Sequence, residues 1–260
     1  MRKNFSAFAQ LKLWASARCS LLELHMTVNH YKETVVLKLG GSLIVPNGGL
    51  DIDYIKKFYN FIRQQVAEKS RRFFILIGGG KLSRHYRDAG AEITGHELPS
   101  EDLDWLGIHA TRLNAHLFRT IFRDLAHTHI IKKYEFIQKP DKPIVIAAGW
   151  KPGWSTDYDA VILAQDYNIK TIVKMSNTDY VYDKDPNKFK DAKPLPNISW
   201  KDYRAMVGDE WRPGQHEPFD PIAARLASEL ETRIFYLDGR DLKNAEKAIN
   251  GEKFVGTIIE

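Results

Sequence analysis

From residue 34 onward the apolar positions follow two alternating periods. Residues 34–39 and 72–77 are short runs of branched and aromatic side chains that read as buried strands. Between them, residues 53–69 place Ile55, Phe58, Phe61, Ile62 and Val66 at helical spacing among Lys, Arg and Gln, so one face of a helix can pack on a sheet. The alternation continues with a helical region over about 101–125, an apolar run at 143–148 and a helix at 157–167. A strand at 170–175, a helix at 220–230, a strand at 233–237 and a helix at 242–250 follow. Strand and helix in this order predict an α/β fold, a largely parallel central sheet with helices on both faces, or three layers in all. Residues 183–197, with their prolines and charges, read as a surface excursion, and 207–218 as a mobile loop.

Composition narrows the class. A chain of 260 residues with 43% hydrophobic and 12% aromatic content can bury a large core as one catalytic unit. The 38 basic and 33 acidic residues leave a net charge of +5. Arg2, Lys3, Lys12 and Arg18, against Glu23, concentrate much of that surplus at the start, so nucleic-acid binding is not expected. Cys19 is the single cysteine and excludes an internal disulfide or a cysteine zinc site, which fits the cytoplasm. Residues 1–32 form an extension ahead of a domain spanning 33–260. Lys12 and Arg18 interrupt its apolar runs, so it makes a poor targeting segment, and no run reaches membrane-spanning length. Phe5, Phe8, Leu11, Leu13 and Trp14 could line a partner-binding helix. The plainer reading is a disordered tail or a start mis-assigned ahead of Met26.

In such sheets ligands gather at the carboxyl ends of the strands. The first strand ends in Lys38-Leu39-Gly40-Gly41-Ser42, where the glycines let backbone approach an anion and Lys38 adds charge. The second ends in Gly78-Gly79-Gly80-Lys81 and runs into an expected helix, with Arg84 one turn further on. Two such turns favour phosphate binding. The P-loop pattern fails because Leu82 follows Lys81, and the dinucleotide fingerprint fails at Ser83. A calcium loop beginning at Asp183, Asp185 and Asn187 fails at Lys188 and Pro194. His127 and His129 lack further ligands at metal spacing.

With these turns, PGWSTD (152–157), SNTDYVYDKDP (176–186), FDPIAAR (219–225) and GTIIE (256–260) stand in register, and the chain from about residue 34 resembles the amino-acid kinase family, most closely its UMP kinases of archaeal type. The resemblance implies the amino-acid-kinase fold, with an acceptor-binding part over about 33–169 and an ATP-binding part over about 170–260. It implies phosphoryl transfer from ATP to UMP with Mg2+, in the cytoplasm, by a homo-oligomer, commonly a hexamer. Lys38 would contact the transferring phosphoryl group, Gly40 and Gly41 would cradle it, and Asp220 would orient Lys38 through an ion pair, or cap the following helix, or both. ATP would meet Gly80, Arg84, Ser176, Tyr182 and Asp185. UMP would meet Gly79, Asp104 on its ribose hydroxyls, and the loop Trp150, Lys151, Pro152, Gly153, Trp154, Ser155 and Thr156. Archaeal relatives usually carry a Thr-His-Pro-Gly-His-like run where this chain has Trp150 to Trp154, and the two indoles could stack on a base or close the loop onto the core. Kinases for isopentenyl phosphate, N-acetylglutamate or carbamate, and non-catalytic oxyanion-storage proteins, share the fold. Isopentenyl phosphate kinases carry His where Arg84 stands.

Overall fold

A computed structural model describes residues 31–208 and 217–260. The expectations for the extension, including its apolar stripe and Met26, and for most of the 207–218 loop lie outside the described residues. Within them the order is β1 (Glu33–Leu39), α1 (Gly41–Ile44), α2 (Ile52–Lys69), β2 (Arg71–Ile77), α3 (Gly80–Thr94), α4 (Ser100–Ile121), β3 (Ile144–Ala147) and α5 (Thr156–Asp166). Then come β4 (Thr171–Ser176), β5 (Asn197–Ile198), α6 (Trp200–Val207), α7 (Pro221–Glu229), β6 (Arg233–Asp238), α8 (Leu242–Ile249) and β7 (Thr257–Ile259). No helix among the described residues is long and apolar enough to cross a membrane.

The strands form one sheet in the order β3-β2-β1-β4-β6-β7-β5. Every neighbouring pair is parallel except β6 with β7, which are antiparallel. Successive strand residues face opposite sides, and β1 splits its apolar residues accordingly. Val35, Leu37 and Leu39 join a core with Phe58 and Ile62 of α2, Phe118 of α4 and Ala245 of α8. Val36 joins the opposite core with Val161 of α5, Tyr203 of α6 and Ala223 of α7. Helices therefore cover both faces, as the alternation predicts. Capping fixes where they begin. Asp51 accepts from the Tyr54 amide at the head of α2, which ends at Ser70 in the left-handed region with φ 52°.

Four elements have no counterpart in the periodicity, the one-turn helix α1 among them. Strands β5 and β7 span two and three residues, too few to show a period of two. Helix α6 does carry a start signal, Ser199-x-x-Asp202. Ser199 Oγ accepts from the Asp202 amide at 3.1 Å and pairs with its carboxylate at 2.6 Å.

Candidate active site

Strand pairing brings Lys38 of β1 beside Lys174 of β4. The neighbours further along the same row are Leu76 and Tyr236. No other position of this row carries a charge, so two adjacent ammonium groups on the α5 side require compensation. Asp157, in the first turn of α5, supplies it. Its Oδ1 lies 3.3 Å from Lys38 Nζ and its Oδ2 2.5 Å from Lys174 Nζ. Both Asp157 and Lys174 are buried. Burial works to raise the Asp157 carboxyl, but the charges of Lys174 and Lys38 overcome it and bring it down to about 2. Burial lowers Lys174 to about 8, with Asp157 offsetting part of that effect. The result is a carboxylate held ionised between two cations, one of which titrates near physiological pH.

Asp220 does not hold Lys38 by an ion pair. The carboxylate beside Lys38 is Asp157, and Asp220 instead caps α7, its Oδ1 accepting from the Ala223 amide at 2.7 Å. Its own amide donates to Asp157 Oδ2 at 3.1 Å. Asp220 thus reaches Lys38 through the shared partner, while its own charge also acts on Lys174. The physical reason is position: Asp157 opens α5, which packs directly over β1, whereas Pro221 sets Asp220 at the start of α7 as its cap. Burial, with nearby Asp157, raises Asp220 to about 6.

The glycine turns interlock. The Gly40 amide donates to Met175 O at 2.9 Å and the Gly78 amide to Leu39 O at 3.0 Å, carrying the sheet's bonding past the strand ends. A side chain on Gly41 would overlap the Gly80 amide nitrogen, one on Gly78 the Gly41 nitrogen, and one on Gly80, whose φ is +66°, the Gly41 carbonyl. The absence of side chains at these positions is what lets the turns touch. Asn114 of α4 steadies the second turn, its Nδ2 donating to Gly78 O at 2.9 Å and Gly79 O at 3.2 Å.

On the β3 side the loop over 150–156 packs against the core. Trp150 is buried, and Trp154 stands edge-on to it at 4.6 Å and to Tyr158 at 4.4 Å. Lys151 Nζ lies 4.3 Å from the Trp150 ring centroid and 4.7 Å from that of Trp154. Of the two readings of the indoles, Trp150 takes the packed one. Asp104 reaches the same loop, its Oδ2 accepting from the Gly153 amide at 2.8 Å. Ser155 caps α5 through the Tyr158 amide, and Thr156 is its first residue. Pro152 and Gly153 form the loop's tip, Gly153 with φ +79°.

Beyond β4, Ser176 Oγ accepts from Tyr236 at 2.9 Å. The Tyr182 hydroxyl donates to Asp179 at 2.9 Å. Asp185 accepts from the Asn187 amide at 2.9 Å, which with burial opposing lowers its carboxyl, and no hydrogen bond or ion pair joins it to the lysine cluster. Arg84 lies on α3 and makes no ion pair among the described residues. Structure thus gathers Lys38, Asp220, the glycines and Ser176 at the strand ends, and places Tyr182 and Asp185 in a separate excursion. It adds Asp157, Lys174 and Asn114. The signal for Lys174 is a lysine between the apolar Ile172, Val173 and Met175 of β4. A cavity of about 970 Å³ lies at the opposite end of the sheet, lined by Lys32, Lys170 and Arg233, and contains none of these groups.

Cations gathered on one carboxylate beside two interlocked glycine turns, at the carboxyl ends of a parallel sheet, define an α/β protein that handles phosphate groups. Comparison with known proteins agrees. The model of the amino acid kinase family matches residues 33–236, and the chain belongs to that family. A uridylate kinase of Methanocaldococcus jannaschii is 32% identical over 232 residues, covering 87% of this chain and 99% of that protein. A uridylate kinase of Thermococcus kodakarensis is 31% identical over 232 residues, covering 87% and 99%. The crystal structure of uridylate kinase from Archaeoglobus fulgidus superposes with a TM-score of 0.71 at 27% identity, covering 87% of this chain and 99% of that one.

Proposed function

We infer that this chain is a UMP kinase, transferring the γ-phosphoryl group of ATP to UMP to give UDP and ADP in pyrimidine nucleotide synthesis. The observation that carries the reading is the Lys38–Asp157–Lys174 cluster, a half-buried and a buried cation on one buried carboxylate beside the glycine turns. Phosphoryl transfer asks little covalent chemistry of a protein; it asks for aligned reactants and fixed charge where the transferring group becomes more anionic. Lys38 and Lys174 supply that charge. Asp157 holds both by ion pairs, and the Asp220 amide, bonded to the same carboxylate, ties the start of α7 to that of α5. ATP occupies the side of Gly40, Gly41, Gly80, Arg84 and Ser176, with Tyr182 and Asp185 beyond. UMP occupies the side of Gly79, Asp104 and the loop over 150–156. Among the described residues no group of three or more His, Cys, Asp or Glu side chains is placed to hold a metal, and Asp157 has both oxygens on lysines. Mg2+ therefore fits here as an ion carried on phosphate oxygens, where it would neutralise part of their charge. The working form is a homo-oligomer, a hexamer by family resemblance, and the place of work the cytoplasm.

A coupled ADP assay over UMP, CMP, isopentenyl phosphate, N-acetylglutamate and carbamate tests the acceptor. UMP is expected to be fastest, and active ATP turnover without UMP phosphorylation overturns the reading. Asp104 sharpens the test, because one carboxylate oxygen holds Gly153 and the other would accept from a ribose diol. Hydrogen bonds to a charged group contribute ~1.5–3 kcal/mol each, so 2′,3′-dideoxy-UMP should lose roughly ten- to a hundredfold in kcat/KM. Asp104→Ala should erase most of that difference. Equal discrimination in both enzymes would remove Asp104 from the ribose site.

Lys174 gives a pH expectation. Its ammonium loses a proton near 8, so it is charged below that pH and neutral above. kcat/KM, which reports the free enzyme, should fall by about tenfold per pH unit above that point. Lys174→Arg, with whatever activity remains, should show no such limb below pH 10.

A further inference from the structure

Helix α5 is buried along nearly its whole length, yet its fourth residue is an aspartate with 0% exposure. A carboxyl group there is costly unless something on the chain needs it. Asp159 Oδ2 accepts from the Trp150 amide at 3.3 Å, and Oδ1 has no hydrogen-bond partner. The neighbouring bonds explain the need. β3 is the edge strand; the Ala148 amide still donates to Ile131 O on its outer side, but past Ala148 no strand among the described residues lies beside the chain to satisfy its backbone. Instead the Gly149 amide donates to Thr111 Oγ1 at 2.9 Å. Gly149 O accepts from Arg112 Nε at 3.1 Å, and Trp150 O from Arg112 Nη2 at 2.7 Å. With the bond to Asp159, all four backbone polar groups of Gly149 and Trp150 are satisfied by side chains, three bonds from α4 and one from α5.

We propose that Asp159, acting with Arg112, is a positioning residue for the acceptor: it fixes the Gly149–Trp150 peptide and so the direction in which the loop over 150–156 leaves the sheet. The proposal rests on the reading of that loop as the UMP side. Trp150 roots the loop, and Trp154 and Lys151 pack on its indole, so a rotated peptide at 150 displaces both. The loop's far end is already tied by the Ser155 cap and its tip by Asp104, which leaves the root as the remaining degree of freedom. Burial holds the Asp159 carboxyl well above the usual carboxylate range, so its protonated form resembles a carboxamide in shape and charge.

Two variants test this in the intact protein. Asp159→Asn keeps an oxygen for the Trp150 amide, and Asp159→Ala removes it. Hydrogen–deuterium exchange without nucleotide should be about tenfold faster in the 149–155 segment of Asp159→Ala and unchanged elsewhere, with Asp159→Asn matching wild type. In steady-state kinetics Asp159→Ala should raise the KM for UMP roughly tenfold while leaving kcat and the KM for ATP within about threefold, and Asp159→Asn should restore it. Equal behaviour of the two variants, or a lowered Tm with unchanged local exchange and unchanged KM, overturns the proposal. Should wild type not phosphorylate UMP, the exchange result still decides the positioning claim, and only the acceptor assignment fails.

Discussion

Asp157→Ala is expected to remove nearly all turnover and to destabilise the fold by about 3–5 kcal/mol, because deleting one partner of a buried ionic cluster leaves uncompensated charge. Two ammonium groups on neighbouring strands would then face each other with no carboxylate between them. Asp157→Asn should be milder in stability, since the amide oxygen can still accept from one lysine, but equally poor in rate. The sign of the pH dependence follows from the depressed carboxyl. A group whose folded pKa lies below its unfolded one contributes stability above the unfolded value and loses it as pH falls through the folded value. Wild type should therefore lose the Asp157 contribution between about 3.8 and about 2, and Asp157→Asn should lack that part of the acid limb. Urea melts at a series of pH values, with circular dichroism as the signal, measure it. An Asp157→Ala protein as stable as wild type would show that the lysines are not held charged together.

Lys38→Ala is expected to leave a folded protein, because Asp157 keeps Lys174 as a partner, while kcat falls ~10²–10³-fold as one preorganised donor is lost. The charge of Lys38 matters most as the phosphoryl group redistributes its own, so ATP affinity by calorimetry should change only a few-fold. A variant that keeps more than about a tenth of the wild-type rate removes Lys38 from the reacting centre. Comparison with Lys174→Met separates the two cations. Lys38 is slightly more open, at 12% side-chain exposure against 7%, and is expected to be the one that meets substrate directly.

The fold was legible where apolar periodicity runs for several residues. β1, β2, β4 and β6 and the helices packed on them fall within a residue or a few of the expected bounds. The edge formed by β5 and β7 was not, since strands of two and three residues are set by tertiary pairing rather than by pattern. In the site, the glycine turns and Lys38 were readable because local backbone demands leave a mark in residue type. The partner of Lys38 was not. Asp157 and Asp220 each stand at the start of a helix, and sequence alone gives no measure of which helix start lies over β1. Asp157 stood in a motif that was recognised, yet its contact with Lys174 depends on a strand register that only the folded sheet reveals.

The contact between the two glycine turns also bears on how this protein can change. Gly41, Gly78 and Gly80 touch backbone to backbone, so a side chain at any one of them is opposed by main chain that cannot rotate aside. No second substitution can make room, because each opposing residue is already the smallest available. The three positions therefore form a locked set without compensatory routes. Drift, directed evolution or grafting of a relative's turn would have to carry both turns together, backbone included, and variation in what this protein accepts as substrate would have to arise outside them.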